Sequence, residues 1–228
     1  MLLSHKRQFI FIHIYKTAGT SVRRVFLPHA RLVDRLVYEF RGTKKAVNAI
    51  NRRMHWVDDG NRQFTGYHKH ATALEIQEKL GRERFDRYFS FAFVRNPYDW
   101  IVSLYHFIGQ APRHRDHERI VSLTFGQFVE WHLAQQPPTE LDFVVGKDGS
   151  IIVDYIGKVE RIREDVASIC GSLDLPVPAV PHANPSVLRT RPDYNAYYDS
   201  HSRALVKEYF ARDLDAFGYD FLGSGQPE

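Results

Sequence analysis

The sequence predicts an α/β fold, an open parallel sheet covered by helices, and three strand-to-helix junctions predict it. Phe9 to Tyr15 (FIFIHIY), Tyr88 to Val94 (YFSFAFV) and Tyr155 to Val159 are short runs rich in aromatic and β-branched residues. Runs of that length and composition suit strands buried on both faces. Each run is followed by apolar residues at helical spacing, and such alternation builds parallel sheets whose ligands sit at the carboxyl ends of the strands. A chain of 228 residues supports one such domain with a full core, so residues 1–228 are read as a single domain.

At the first junction Lys16 closes the apolar run, and Thr17, Ala18, Gly19, Thr20 and Ser21 let the backbone turn tightly. Val22, Val25 and Phe26 then recur at helical spacing until Pro28. A helix N-terminus has N–H groups without intrahelical acceptors and a positive dipole end, so this loop suits an anion of phosphate or sulfate geometry. Lys16 and the hydroxyls of Thr17, Thr20 and Ser21 would add charge and donors there. A Walker A loop would place its lysine after the glycines, whereas this lysine precedes Gly19. The competing reading is a plain strand–helix turn with an exposed lysine.

Arg31 to Trp56 reads as one or two amphipathic helices with a break at Gly42, their basic face either solvated or lining a cleft for an anionic ligand. Next, Thr72 and Glu75 form a capping-box pattern for a helix that Gly81 ends. His68 and His70 therefore lie in the loop before a helix, where a neutral imidazole can take a proton from an alcohol. The chain has 12 histidines, so most must be incidental. At the second junction Asn96 suits an N-cap and Pro97 the first helical position. That puts Arg95 at a strand end beside a helix N-terminus. Ser103, seven residues past Asn96, falls on about the same helix face, so Arg95 and Ser103 can reach one phosphate. Alternatively, Arg95 only pairs with Asp99. Gln110 to Arg119 reads as polar and mobile, and Thr124 caps a helix that Pro137 and Pro138 end. The third junction, DYIGKVERIREDV, offers Lys158 and Arg161 as cations. HANPS (182–186) lies in a Pro-rich loop, a last helix uses Leu205, Val206, Tyr209 and Phe210, and FGYDF closes the fold, with 222–228 as a flexible tail.

The net charge of +4 suits acidic ligands. Cys170 is the only cysteine, which excludes an intrachain disulfide, a cysteine-based zinc site and a C-x-x-C redox pair; its neighbours make it a core thiol. MLLSHKRQ is too short and polar for a signal peptide, and no segment approaches a membrane span, so a cytoplasmic protein is expected.

The KTAGTS loop after the first strand, RNP followed by a serine in the next helix, and the later GKVERIREDV, HANPS and FGYDF resemble the sulfotransferases, most closely the carbohydrate branch that includes heparan sulfate 2-O- and chondroitin sulfotransferases. The resemblance runs from about Phe9 to Phe221, in the family's order. It implies a P-loop-kinase-like three-layer fold and the donor 3′-phosphoadenosine 5′-phosphosulfate (PAPS), with PAP as product, no metal, and a carbohydrate or other hydroxyl-bearing acceptor. Lys16, Thr17, Ala18, Gly19, Thr20 and Ser21 match the 5′-phosphosulfate loop, with Lys16 also catalytic, and Arg95 and Ser103 match the 3′-phosphate pair. His68-Lys69-His70 is similar to the His-x-His of 2-O-sulfotransferases, in which a histidine is the catalytic base. His70 is preferred as base because it is nearer the helix start, with His68 the alternative or an acceptor contact. Lys158, Arg161 and Asn184 fall in stretches that approach nucleotide or acceptor, and 30–64 becomes a helical insertion near the acceptor cleft. The membrane anchor and lumenal disulfides typical of animal Golgi members have no counterpart, and no nucleic acid is expected as partner. The rival readings are a P-loop-like nucleotide kinase, disfavoured by the lysine's position and the lack of a clear Mg²⁺ carboxylate, and a noncatalytic nucleotide- or RNA-binding module, disfavoured by scattered charge and no RNA-motif aromatics.

Overall fold

A computed structural model describes residues 1–31, 35, 67–177 and 193–224. The elements in chain order begin with β1 (Leu2–Ser4), β2 (Phe9–Ile12), α1 (Gly19–Phe26), α2 (Ala73–Leu80), α3 (Arg82–Phe85), β3 (Phe89–Val94) and α4 (Pro97–Gly109). They continue with α5 (His117–Val121), α6 (Phe125–Leu133), β4 (Tyr155–Lys158), α7 (Ile162–Ser172), α8 (Ser200–Tyr209), α9 (Ala211–Phe217), β5 (Tyr219–Asp220) and β6 (Gly223–Ser224). Two compact units partition the chain, one comprising 1–93 and 143–181, the other 94–142 and 182–228. Most of the 30–64 insertion, the HANPS loop with Asn184, and the tail from 225 lie outside the described residues.

The first unit is built on a sheet in the order β1-β2-β3-β4. All three predicted strand–helix junctions form, β2 to α1, β3 to α4, and β4 through a 3₁₀ turn at Val159–Arg161 to α7. The sheet is mixed rather than parallel. β2 and β3 run parallel, with Phe9 opposite Phe89 and Ile12 opposite Ala92, but β1 is antiparallel to β2, with Leu2 opposite Phe11 and Ser4 opposite Phe9. The physical reason is the connection: residues 5–8, with Gln8 at φ 49°, form a short reversal, and a link that short joins only antiparallel neighbours. Polarity around His5, Lys6 and Arg7 hid this strand in the sequence, yet Leu2, Leu3 and Ser4 are all buried. β2 also stops at Ile12, short of the predicted Tyr15, because the chain leaves the sheet to enter the loop before α1.

Aromatic rings fill the core between sheet and helices. Phe9, Phe11, Phe26, Phe91 and Phe93 are fully or almost fully buried together with Val22 of α1 and Val166, Ile169 and Cys170 of α7. Phe91 lies 4.9 Å from Phe26 and 5.3 Å from Phe11, ring centre to ring centre. Burial of each such side chain contributes about 1.5–3 kcal/mol. On β4, Gly157 leaves room for the Phe93 ring: a Cβ there would lie 2.6 Å from Phe93 Cε1. Cys170 is buried, as expected of a core thiol.

The second unit packs α4, α6 and α8 around Trp100, Phe128 and Phe210, with Trp100 and Phe210 5.9 Å apart. The N-termini are set by the residues the sequence marked. Asn96 accepts from the Tyr98 N–H at 3.0 Å with Pro97 at the first helical position, and Thr124 forms a capping box with Gln127. In the first unit Thr72 and Glu75 do the same for α2. Among the described residues no helix is long and apolar enough to cross a membrane, and no group of three or more His, Cys, Asp or Glu is placed to hold a metal ion.

Candidate functional site

The loop between β2 and α1 is held in an unusual backbone shape. Lys16 and Ala18 have positive φ, 65° and 53°, with Thr17 between them outside that region. Left-handed residues other than glycine cost about 1–2 kcal/mol each, and such strain concentrates where a loop must present its N–H groups. Ala18 is the N-cap of α1, and no side chain caps the helix. The Ser21 and Val22 N–H groups turn back to the Ala18 carbonyl at 2.8 and 3.2 Å. The first turn has no acidic residue and no capping side chain, so no carboxylate there competes with an external anion.

The glycine works by its size. Gly19 does not carry the positive φ; a Cβ on it would fall 1.9 Å from His13 Nε2. The imidazole of His13 lies in the space a side chain at 19 would need. Thr17 is buried and its hydroxyl donates to the Ile14 carbonyl at 2.9 Å. That hydroxyl hydrogen closes the loop on itself, a correction to its expected place among the anion donors. Ser21 is buried and Thr20 exposed.

His70 is brought to the same strand end. Its Nδ1–H donates to the His13 carbonyl at 2.7 Å, and its ring lies 4.7 Å from the His13 ring and 6.0 Å from that of Tyr15, centre to centre. A carbonyl only accepts, so the proton of the neutral ring is on Nδ1 and Nε2 carries the lone pair. Burial is the main cause lowering its pKa to about 4, opposed by this hydrogen bond. His68 has the opposite arrangement. Its Nδ1 accepts the His70 main-chain N–H at 3.1 Å, which puts the ring proton of its neutral form on Nε2 and makes that nitrogen a donor.

The other predicted residues divide between the units. Lys158 and Arg161 share the first unit with the loop and the two histidines. There the buried Asp165 organises their turn: it accepts the Lys158 N–H at 2.6 Å and the Tyr155 hydroxyl at 2.9 Å, and sits 3.7 Å from the Arg161 guanidinium. Burial lowers the Lys158 pKa. Arg95 and Ser103 belong to the second unit. The Arg95 guanidinium meets Asp99 through Nε at 2.6 Å and a terminal nitrogen at 2.5 Å, and its main-chain N–H donates to the buried Glu140 at 2.9 Å. The pairing with Asp99 weighed in the sequence is therefore real and holds the guanidinium at the start of α4. Asn96 adds a bond to the Asp220 carbonyl at 2.8 Å, tying FGYDF to the same helix start.

Sequence reasoning missed three residues. His13 is the one polar position in an otherwise apolar run, Asp165 stands four residues after Arg161, and Glu140 had no signal, since its partner lies 45 residues away.

Comparison with known proteins adds one family and one relative. A family model described as "Sulfotransferase family" matches residues 1–220. An uncharacterized protein of Archaeoglobus fulgidus is 31% identical over 107 residues, covering 46% of this chain and 82% of that protein. No solved structure matches.

Proposed function

We propose, from the premise that this chain belongs to the sulfotransferase family, that it moves the sulfuryl group of PAPS to an acceptor hydroxyl, on a carbohydrate as the leading class. Sulfotransfer follows from the family; donor, acceptor and residue roles are the proposal, as are the P-loop-like character of the fold, its reading as one domain, and a cytoplasmic place of action. The observation that carries it is the α1 N-terminus, uncapped by any side chain, entered through two left-handed residues and floored by a glycine. That arrangement suits a tetrahedral oxyanion.

In this reading the main chain from Lys16 to Ser21 holds the 5′-phosphosulfate. Lys16 neutralises charge growing on the bridging oxygen as the sulfur–oxygen bond to the nucleotide breaks. His70 Nε2 takes the acceptor's proton as the new oxygen–sulfur bond forms, and PAP departs. Arg95 and Ser103 take the 3′-phosphate, with Lys158 and Arg161 as further contacts to the nucleotide, and His68 and Asn184 toward the acceptor. Sulfuryl transfer, like phosphoryl transfer, is catalysed mainly by positioning and electrostatics. No step in this scheme requires a metal.

The test is transfer of sulfur label from PAPS, with γ-labelled ATP as control, across a panel of saccharide and simple alcohol acceptors. Label from PAPS alone is expected, and Lys16→Ala should abolish it. Transfer from ATP instead makes the protein a kinase and overturns the reading.

A further inference from the structure

His13 is a polar residue where the fold needs only bulk. Its ring stacks on Phe11, 5.7 Å between centres at 23°, and is 6% exposed. The pKa lies well below the ordinary 6.5, chiefly through desolvation, so the ring is neutral. Nδ1 is buried without a hydrogen-bond partner, whereas Nε2 lies against Gly19 at the start of α1. A neutral imidazole carries one proton. Placing it on Nδ1 would bury an unpaired donor, while placing it on Nε2 leaves only an unpaired acceptor at Nδ1, the smaller penalty. The Nε2–Cδ2 edge of the ring lies against Gly19 at the start of α1, 1.9 and 2.1 Å from where a Cβ there would fall. An apolar ring would fill the same volume without leaving a buried nitrogen unsatisfied, and so the nitrogen calls for an explanation beyond packing.

We propose that His13 is a further binding residue of this loop, its Nε2–H serving as a neutral donor to the tetrahedral oxyanion held at the α1 N-terminus. The inference rests on the sulfotransferase reading for the identity of that anion, the 5′-phosphate end of the nucleotide. It also gives Gly19 a function: any side chain there would displace the donor. Because the His13 carbonyl holds His70 Nδ1–H, the same residue touches both the anion loop and the proposed base.

Calorimetric titration of the full chain with PAP tests this on His13→Gln and His13→Met. The two replacements are alike in length, and only the glutamine amide restores a donor near the Nε2 position. His13→Gln should bind PAP within about threefold of the unaltered protein, and His13→Met should bind about ten- to a hundredfold more weakly, as expected for loss of one hydrogen bond to a charged group. Equal affinity of the two variants overturns the role of His13 while leaving the family's donor intact. No binding of PAP by the unaltered protein overturns the donor reading and this inference together. Nitrogen-15 spectra of the unaltered protein give a readout independent of whether the variants fold: His13 should show a protonated Nε2 whose resonance moves on addition of PAP. A proton on Nδ1, or a resonance that stays in place, contradicts the assignment.

Discussion

At the scale of single residues, the loop between β2 and α1 is governed by two kinds of constraint that look alike in sequence. Small residues at 17–21 announce a tight turn, and the turn exists, but its left-handed positions are Lys16 and Ala18 rather than the glycine. Gly19 is required because His13 stands where its side chain would go. Gly19→Ala is therefore expected to weaken PAP binding by at least tenfold, since a Cβ must push either the imidazole or the helix start aside; a titration indistinguishable from the unaltered protein would contradict the steric account. The two histidines are distinguished only by what their Nδ1 atoms meet, a carbonyl for His70 and an N–H for His68. No spacing rule reveals that. His70→Ala should lower turnover about a hundredfold or more with PAP affinity nearly unchanged, and His68→Ala should lower it far less. With a pKa of about 4, His70 is neutral above that value and loses its lone pair as pH falls through it. The acid limb of kcat/KM should accordingly lie well below pH 6, and an acid limb at or above pH 6 would contradict His70 as the base.

At the scale of elements, what could be read from local pattern was read. The junctions at β2, β3 and β4, the caps at Thr72, Asn96 and Thr124, and the lone buried cysteine all depend on residues within a few positions of one another. β1 was lost because three residues are too few for a periodic signal, and only pairing with β2 reveals them as buried. Asp165 shows the same limit. Its charge reads as part of an acidic first turn of α7, while its work is to hold the Lys158 to Arg161 turn through the Lys158 N–H, the Tyr155 hydroxyl and Arg161. Asp165→Ala removes a buried acceptor from two donors at once, and is expected to destabilise the protein by about 2–4 kcal/mol, measured as a drop in the urea midpoint. A midpoint shift under 0.5 kcal/mol equivalent would mean that water replaces the carboxylate there.

At the scale of the whole molecule, the family is set by motifs spread from the first strand to FGYDF, matched over residues 1–220. Such spread is what a sequence exposes best, since each motif is short and local. What it exposes poorly is how distant stretches combine: the parallel pairing of β2 with β3, Glu140 bonded to the Arg95 main chain, and His70 bonded to the His13 carbonyl each join parts of the chain that no short window contains. The central claim is the proposal that this chain binds the adenosine nucleotide of a sulfuryl donor, with Lys16 and Arg95 among the residues that hold it. Its most direct measurement is titration of PAP into the unaltered protein, Lys16→Ala and Arg95→Ala. The account predicts one nucleotide bound per chain, with affinity reduced at least tenfold in each variant; full affinity in either variant, or no binding by the unaltered protein, would contradict it.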